Sequence, residues 1–259
     1  MSPASRIILS STAAALLLPV AGFSLAAPAA RLPAYIARAA ADPARATQAA
    51  DDARRHGPEI LAFAGLKPGG KVLDLIPGGG YWTRLFARTV GAKGRVYGIW
   101  PKPYAAEAQQ EITDYEALTR SPDFTNVSST VQPVDQLSVP EHVDLVFTAQ
   151  NYHDYPDKFM GKIDPSVLNK AVFAALKPGG VFLVIDHAAA AGTAMRDVDT
   201  LHRIDPAIVR KQVVAAGFRY AGESRLLANP ADDHSKLVFD DAIRGRTDQF
   251  IYKFVKPMR

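Results

Sequence analysis

The sequence predicts an α/β fold, a mainly parallel sheet with helices on both faces. Three observations carry that expectation. Residues 71–83, Lys-Val-Leu-Asp-Leu-Ile-Pro-Gly-Gly-Gly-Tyr-Trp-Thr, pass from a strand-length apolar run into a glycine loop and then into helical spacing. The turn Leu-Lys-Pro-Gly-Gly occurs twice, at 66–70 and 176–180, and each time delivers the chain into an apolar run. Between and beyond these, strand-like and helix-like segments alternate at the spacing of βαβ units.

Taken in order, residues 33–63 are rich in Ala and Arg and predict two helices. They are broken at His56-Gly57-Pro58, where Pro58 suits a first turn and Glu59 favours the positive end of a helix. The second of these helices is closed by Gly65. Residues 72–76 predict the first strand, and Trp82, Leu85, Phe86 and Val90 supply one apolar face for the helix after it. A second strand is expected at 95–100, ended by Pro101-Lys-Pro103, with a helix over 104–119. Strands at 125–134 and 143–149 follow, then a helix within 160–176 whose cap is Asp164-Pro165. A strand at 181–186 precedes a helix opened by Asp205-Pro206 and closed by Gly217. Residues 218–227 and 250–255 are the last two strands.

A length of 259 residues with 48% hydrophobic and 22% charged residues supports one substantial core. The net charge of +4 comes from 30 basic and 26 acidic residues spread without runs, which gives no case for a nucleic-acid partner. The absence of cysteine excludes a disulfide framework and a lipid-modified cysteine. Residues 1–26 have the order of an export signal: Arg6, an apolar stretch at 7–23, and the small-x-small site Ser24-Leu-Ala26. Cleavage after Ala26 is expected, giving a periplasmic or secreted protein without stable membrane insertion. The expected organisation is a signal peptide (1–26), a tether and helical extension (27–57) and one domain (58–259).

Ligands of such sheets sit beyond the carboxyl ends of the strands, so residues there are the candidates for chemistry. Gly78, Gly79 and Gly80 after Pro77 let backbone approach a guest closely and suit a nucleotide-like cofactor. A nicotinamide fingerprint would need glycine where Thr83 stands and an acid where the second strand ends in Trp100, so a dehydrogenase is disfavoured. After the fourth strand, Asn151-Tyr152-His153-Asp154 clusters polar and aromatic groups where a bare turn would suffice, and His153 beside Asp154 suits proton transfer. Asp186-His187 is a second acid–imidazole pair. Asp199, His202 and Arg203 fall at helical spacing on one face. No H-x-x-x-H or H-E-x-x-H spacing occurs, so no metal is expected, and no G-x-S-x-G motif supports a hydrolase.

These stretches together resemble the exported predicted methyltransferases of bacteria, a class I S-adenosylmethionine (SAM) methyltransferase fold behind a signal peptide. The likeness runs from about residue 50 to the carboxyl terminus and rests on 59–63, 72–83, 151–154, 175–189, 196–205 and 215–218, with Asn229-Pro-Ala-Asp-Asp233 and 244–250 farther on. It implies a Rossmann-like, seven-stranded sheet with an antiparallel last strand. It also implies SAM as cofactor and a small-molecule acceptor. By the same likeness, Asp74, Pro77 and Gly78 to Gly80 would hold the methionine part of SAM, and Asp135 would meet the adenine amino group. Asn151 to Asp154 would lie beside the transferred methyl group, with Tyr152, His153, Asp154, His187 and His202 as candidates for catalysis. Trp100 stands where most class I enzymes carry an acid for the ribose hydroxyls, and an indole can stack on adenine but cannot accept those bonds. The alternative is a periplasmic binding or accessory protein that kept the fold without SAM chemistry.

Overall fold

The computed structural model describes residues 31–258, so the expected export signal lies outside the described residues. Lys71–Leu75, apolar from Val72 onward but for Asp74, forms β1 in the interior of a seven-stranded sheet. Its neighbours β2 (Arg95–Pro101) and β4 (Val143–Ala149) both run parallel to it. The others are β3 (Val127–Gln132), β5 (Leu176–His187), β6 (Arg219–Ser224) and β7 (Gln249–Val255), in the order β3-β2-β1-β4-β5-β7-β6. Only β7 is antiparallel to its neighbours, β5 and β6. The chain first builds outward from β1 to β3 and then crosses to β4. That reversal opens a crevice above the carboxyl ends of β1 and β4.

Helices cover the sheet: α1 (Ala34–Ala40), α2 (Asp52–Arg55), α3 (Gly57–Ala64), α4 (Tyr81–Val90), α5 (Lys102–Glu107), α6 (Gln109–Arg120), α7 (Pro165–Ala175), α8 (Val198–Leu201) and α9 (Pro206–Ala215). None among the described residues is long and apolar enough to cross a membrane. Both α7 and α9 open on an Asp-Pro pair. The Asp164 and Asp205 carboxylates accept from the N–H of Ser166 and Ala207, while the prolines occupy a turn that needs no donor. The apolar face of α4 packs on β4, with Trp82 and Phe86 rings 4.7 and 5.0 Å from Phe147. Burying each such side chain stabilises the fold by roughly 1.5–3 kcal/mol.

The stretch 34–57, expected as an extension, is tied to the start of α4. Fully buried Arg45 donates to both oxygens of Asp52, at 2.7 and 3.2 Å, and Asp52 accepts from the Tyr81 hydroxyl at 2.6 Å. Gly57 sits against that hydroxyl, and a Cβ there would collide with it.

Four elements differ from expectation. The stretch 33–63, expected as two helices, forms three, α1, α2 and α3. The helix expected over 104–119 begins at Lys102 and breaks at Ala108, where the Gln109 side chain donates to the Ala105 carbonyl. β5 begins at Leu176 because the second Pro-Gly-Gly turn pairs with the exit of β7 through Gly179 N to Lys256 O and Lys256 N to Gly180 O, both 2.9 Å. The helical face expected for Asp199, His202 and Arg203 is absent, because α8 is one turn long and His202 leaves it at φ 51°. Asp199 pairs outward with Lys158. Arg203 turns inward, fully buried, and donates to the carbonyls of Lys236 and Ala188 and to Asp232.

Candidate active site

A cavity of about 800 Å³ lies beyond the carboxyl ends of β1, β4 and β5. One wall is the glycine loop. β1 leaves the sheet through Ile76, whose φ is +52°, and Gly78 follows at +54°. A Cβ added to Gly78 or Gly79 would meet no atom within 4 Å, so both positions open on space that a guest can fill. Gly80 is different. It caps α4 at φ 75°, and a Cβ there would press on Arg84 and Leu118.

Asp74 holds this loop from below. It is 1% exposed, and its Oδ2 accepts from the Thr83 hydroxyl at 2.5 Å. Burial pushes the carboxyl up to about 7, although the Thr83 hydrogen bond favours the ionised form. The Tyr115 hydroxyl lies 3.1 Å from Thr83 Oγ1. It reaches this point over Gly98, the partner of Asp74 in the parallel pair, where any Cβ would strike the Tyr115 hydroxyl.

The opposite chemistry comes from β4 and β5. β4 gives way to Gln150, at φ +63°, and the chain then turns so that Asn151, His153 and Asp154 border the cavity. His153 is held at three points. Its N–H donates to Asp186 Oδ2 at 2.8 Å, its Nδ1 lies 2.7 Å from Asp186 Oδ1, and its Nε2 lies 3.2 Å from Asp154 Oδ1. Asp154 Oδ2 accepts from Asn151 at 3.2 Å. Burial alone would depress the His153 imidazole, but the Asp186 and Asp154 carboxylates outweigh it and push the group up to about 10. His187 goes the other way. Burial holds it down at about 3, against the pull of Asp186 and with the push of His153, and its Nδ1 is 2.7 Å from Thr247 Oγ1. The two rings are 6.0 Å apart. One imidazole stays charged and the other neutral at physiological pH, so a fixed positive charge and a hydrogen-bond acceptor stand side by side. The His202 ring stands edge-on to His153 at 5.4 Å and against Phe239 at 5.0 Å, and burial lowers its affinity for a proton.

Most residues singled out in the sequence therefore meet here: Asp74, Pro77, Gly78, Gly79, Asn151, His153, Asp154, His187 and His202 all border the cavity. Three do not. Tyr152 points behind the site, where its hydroxyl accepts from Asn169 at 2.8 Å and donates to Gln212 at 3.2 Å. Trp100 is fully buried between Tyr104 and Tyr115 and does not border the cavity. Asp135 is exposed on the turn after β3. The fold also brings in residues that sequence reasoning passed over. Thr83 and Tyr115 complete the Asp74 network, and the signal was Gly98 inside an apolar strand. Glu107 and Glu111 border the cavity on either side of the α5–α6 break, and Asp51 and Arg55 do so from the amino-terminal stretch. His153, Asp154 and His202 each place a ligating atom within 4.8 Å of the others, a set that spacing could not reveal because its members come from distant segments.

No protein-family profile matches the chain. Among curated proteins it is similar to two ubiquinone/menaquinone biosynthesis C-methyltransferases. Identity is 29% over 136 residues to that of Hydrogenovibrio crunogenus, covering 51% of the chain and 47% of the relative. It is 28% over 187 residues to that of Shewanella halifaxensis, covering 70% and 69%. The chain thus spans about half the length of the first relative. Among solved structures, a SAM-dependent methyltransferase from Aquifex aeolicus superposes with TM-score 0.58 at 18% identity, covering 85% of the chain and 98% of that structure. The [4+2]-cyclase SpnF superposes with TM-score 0.60 at 16% identity, covering 80% and 81%. The fold is that of the class I SAM-dependent methyltransferases. The chain places its cavity and its buried ionisable groups between the glycine loop after β1 and the end of β4, at the switch point of the sheet.

Proposed function

We propose that the chain is a SAM-dependent methyltransferase acting on a small molecule, and that it works in the cell envelope after export. The observation that carries the reading is the glycine loop, with Gly78 and Gly79 open to the cavity above an acid held inside β1. The fit to SAM is sound at this wall. At the end of β2 the usual ribose acid is missing, but Glu107 and Glu111 bring carboxylates to the same cavity from the α5–α6 break. When bound, SAM supplies an electrophilic methyl group on a sulfonium. The chain's own part is positioning and proton handling. Charged His153, clamped by Asp186 and Asp154, holds a fixed positive charge in the cavity wall. Neutral His187, anchored through Nδ1 on Thr247, has Nε2 to accept a hydrogen bond from an acceptor hydroxyl, phenol or amine and so orient it. The apolar rings of Trp82, Phe147 and Phe239 exclude water from the remainder.

The test is calorimetric titration of SAM and S-adenosylhomocysteine into the purified chain and a Gly79→Val variant. Valine at 79 finds open space in the free protein but occupies the crevice. Saturable micromolar binding, lost in an equally stable variant, is the expected outcome. Absence of binding to the native chain would make this a methyltransferase fold serving as a binding or accessory protein. Export rests on the order of residues 1–26, and a protein recovered from the cytoplasm with Met1 still in place would reject it.

A further inference from the structure

We propose that His153, Asp154 and His202 form a binding site for one divalent first-row transition cation of the zinc class, with open coordination positions facing the cavity. Two imidazoles and one carboxylate are a donor set for such a cation, whereas magnesium and calcium prefer all-oxygen shells. His153 Nε2 is 3.2 Å and His202 Nδ1 3.9 Å from the same oxygen, Asp154 Oδ1, and all three ligating atoms lie within 4.8 Å of one another. Ligands around a tetrahedral cation stand roughly 3.3–3.5 Å apart at bond lengths near 2.1 Å, so closing on the ion needs about an ångström of side-chain movement.

The outer partners are in place as well. Asp186 Oδ1 sits 2.7 Å from His153 Nδ1, which fixes the ring with Nε2 turned to Asp154 Oδ1. This is the carboxylate–histidine arrangement that orients metal ligands. Asn151 occupies Asp154 Oδ2, so Oδ1 is the oxygen that both imidazoles face. His202 is presented by its left-handed backbone, and the next residue, fully buried Arg203, clamps the loop through two carbonyls and Asp232. The charges agree. Asp154 and Asp186 are two carboxylates almost out of water with one imidazole between them. A divalent cation bound by neutral His153 balances both, releasing the His153 Nε2 proton to solvent. Three protein ligands leave room for an oxygen of the acceptor, next to His187. The site does not depend on SAM, so its test stands apart from the cofactor titration.

Cobalt(II) chloride, then zinc chloride, is titrated into the untagged full chain after chelator treatment, following the visible absorption of bound cobalt. One equivalent of cobalt, displaced by one of zinc, is expected. His202→Asn, which tolerates the left-handed backbone, and Asp154→Asn should each weaken binding by more than the roughly 10–100-fold that loss of an outer partner costs. His234→Gln, at a separate histidine–aspartate pair with Asp248, should leave it unchanged. No saturable binding of either metal up to about 1 mM, a free energy near 4 kcal/mol, overturns the proposal. So does stoichiometric binding undiminished in both ligand variants, or lost in His234→Gln.

Discussion

Replacing Asp74 with asparagine should stabilise the protein at alkaline pH while impairing the loop above it. The carboxyl is 1% exposed, and its proton is held up to about 7 against an ordinary 3.8. Folding therefore favours the protonated form. The stability this contributes is whole below pH 3.8 and is lost as pH rises through 7. Above that, the ionised carboxylate costs up to about 4 kcal/mol at about 1.4 kcal/mol per pH unit. Relaxation and water entry reduce this to an expected ~2–3 kcal/mol. Asparagine removes the charge and keeps an oxygen for the Thr83 hydroxyl. Thermal melts of both proteins should coincide within a degree or two near pH 4 and separate above pH 7, with the variant higher by roughly 5–10 °C for a chain of this size. Comparing the two proteins at each pH cancels every other titrating group. A separation independent of pH, or a variant melting below the native chain at pH 8, would refute the argument that Asp74 carries a desolvated charge.

Other changes probe the framework and the site. Arg45→Ala leaves Asp52, which stays partly exposed and bonded by Tyr81, without its ion-pair partner and should cost about 1.5–3 kcal/mol in a urea melt through the lost charge-assisted hydrogen bonds. Gly98→Ala drives a methyl group into the Tyr115 hydroxyl, so it should destabilise by about 1–3 kcal/mol and loosen the Thr83 contact, visible as weaker SAM binding by calorimetry. Tyr152→Phe should lower stability by about 1–3 kcal/mol through the unpaired Asn169 amide, with SAM affinity unchanged, because the hydroxyl points away from the cavity.

The elements were legible because their signals are local. Prolines and aspartates at caps, glycines at left-handed turns and a change of apolar period each act within a few residues, and the sheet order then follows from right-handed crossovers. The site was legible as far as strand ends define it, which is why Asp74, His153 and His187 could be named in advance. Side-chain direction after a strand end was not. Gln150 reverses the backbone, so Tyr152 and His153, one residue apart, face helices on one side and the cavity on the other. Nor was the break at Ala108 readable, since neither glycine nor proline marks it; a glutamine side chain bonding back to Ala105 does. The meeting of His202 with Asp154 joins segments 48 residues apart through the burial of Arg203, a tertiary cause with no local pattern.

Backbone conformation adds a reason to regard the cavity as built by the protein rather than by its guest. Ile76, Gln150 and His202 all have left-handed φ without being glycine, and all three border the cavity. Each such residue costs of order 1–3 kcal/mol and persists only where its surroundings over-determine it. At Ile76 and Gln150 the sheet does this. Their N–H groups still donate into the ladder, to Ile99 at 3.0 Å and Ile185 at 2.8 Å, so the pairing continues one residue past β1 and β4 before the chain turns. The turn is consequently abrupt. Loop backbone that would otherwise continue along the strand is redirected across its end, which sets Gly78 and Asn151 against the cavity. At His202 the inward pull of Arg203 does the same work. Strain at these three positions is offset by hydrogen bonds and burial that need no ligand. The crevice is therefore organised before any cofactor enters, and binding does not have to supply the energy of forming it.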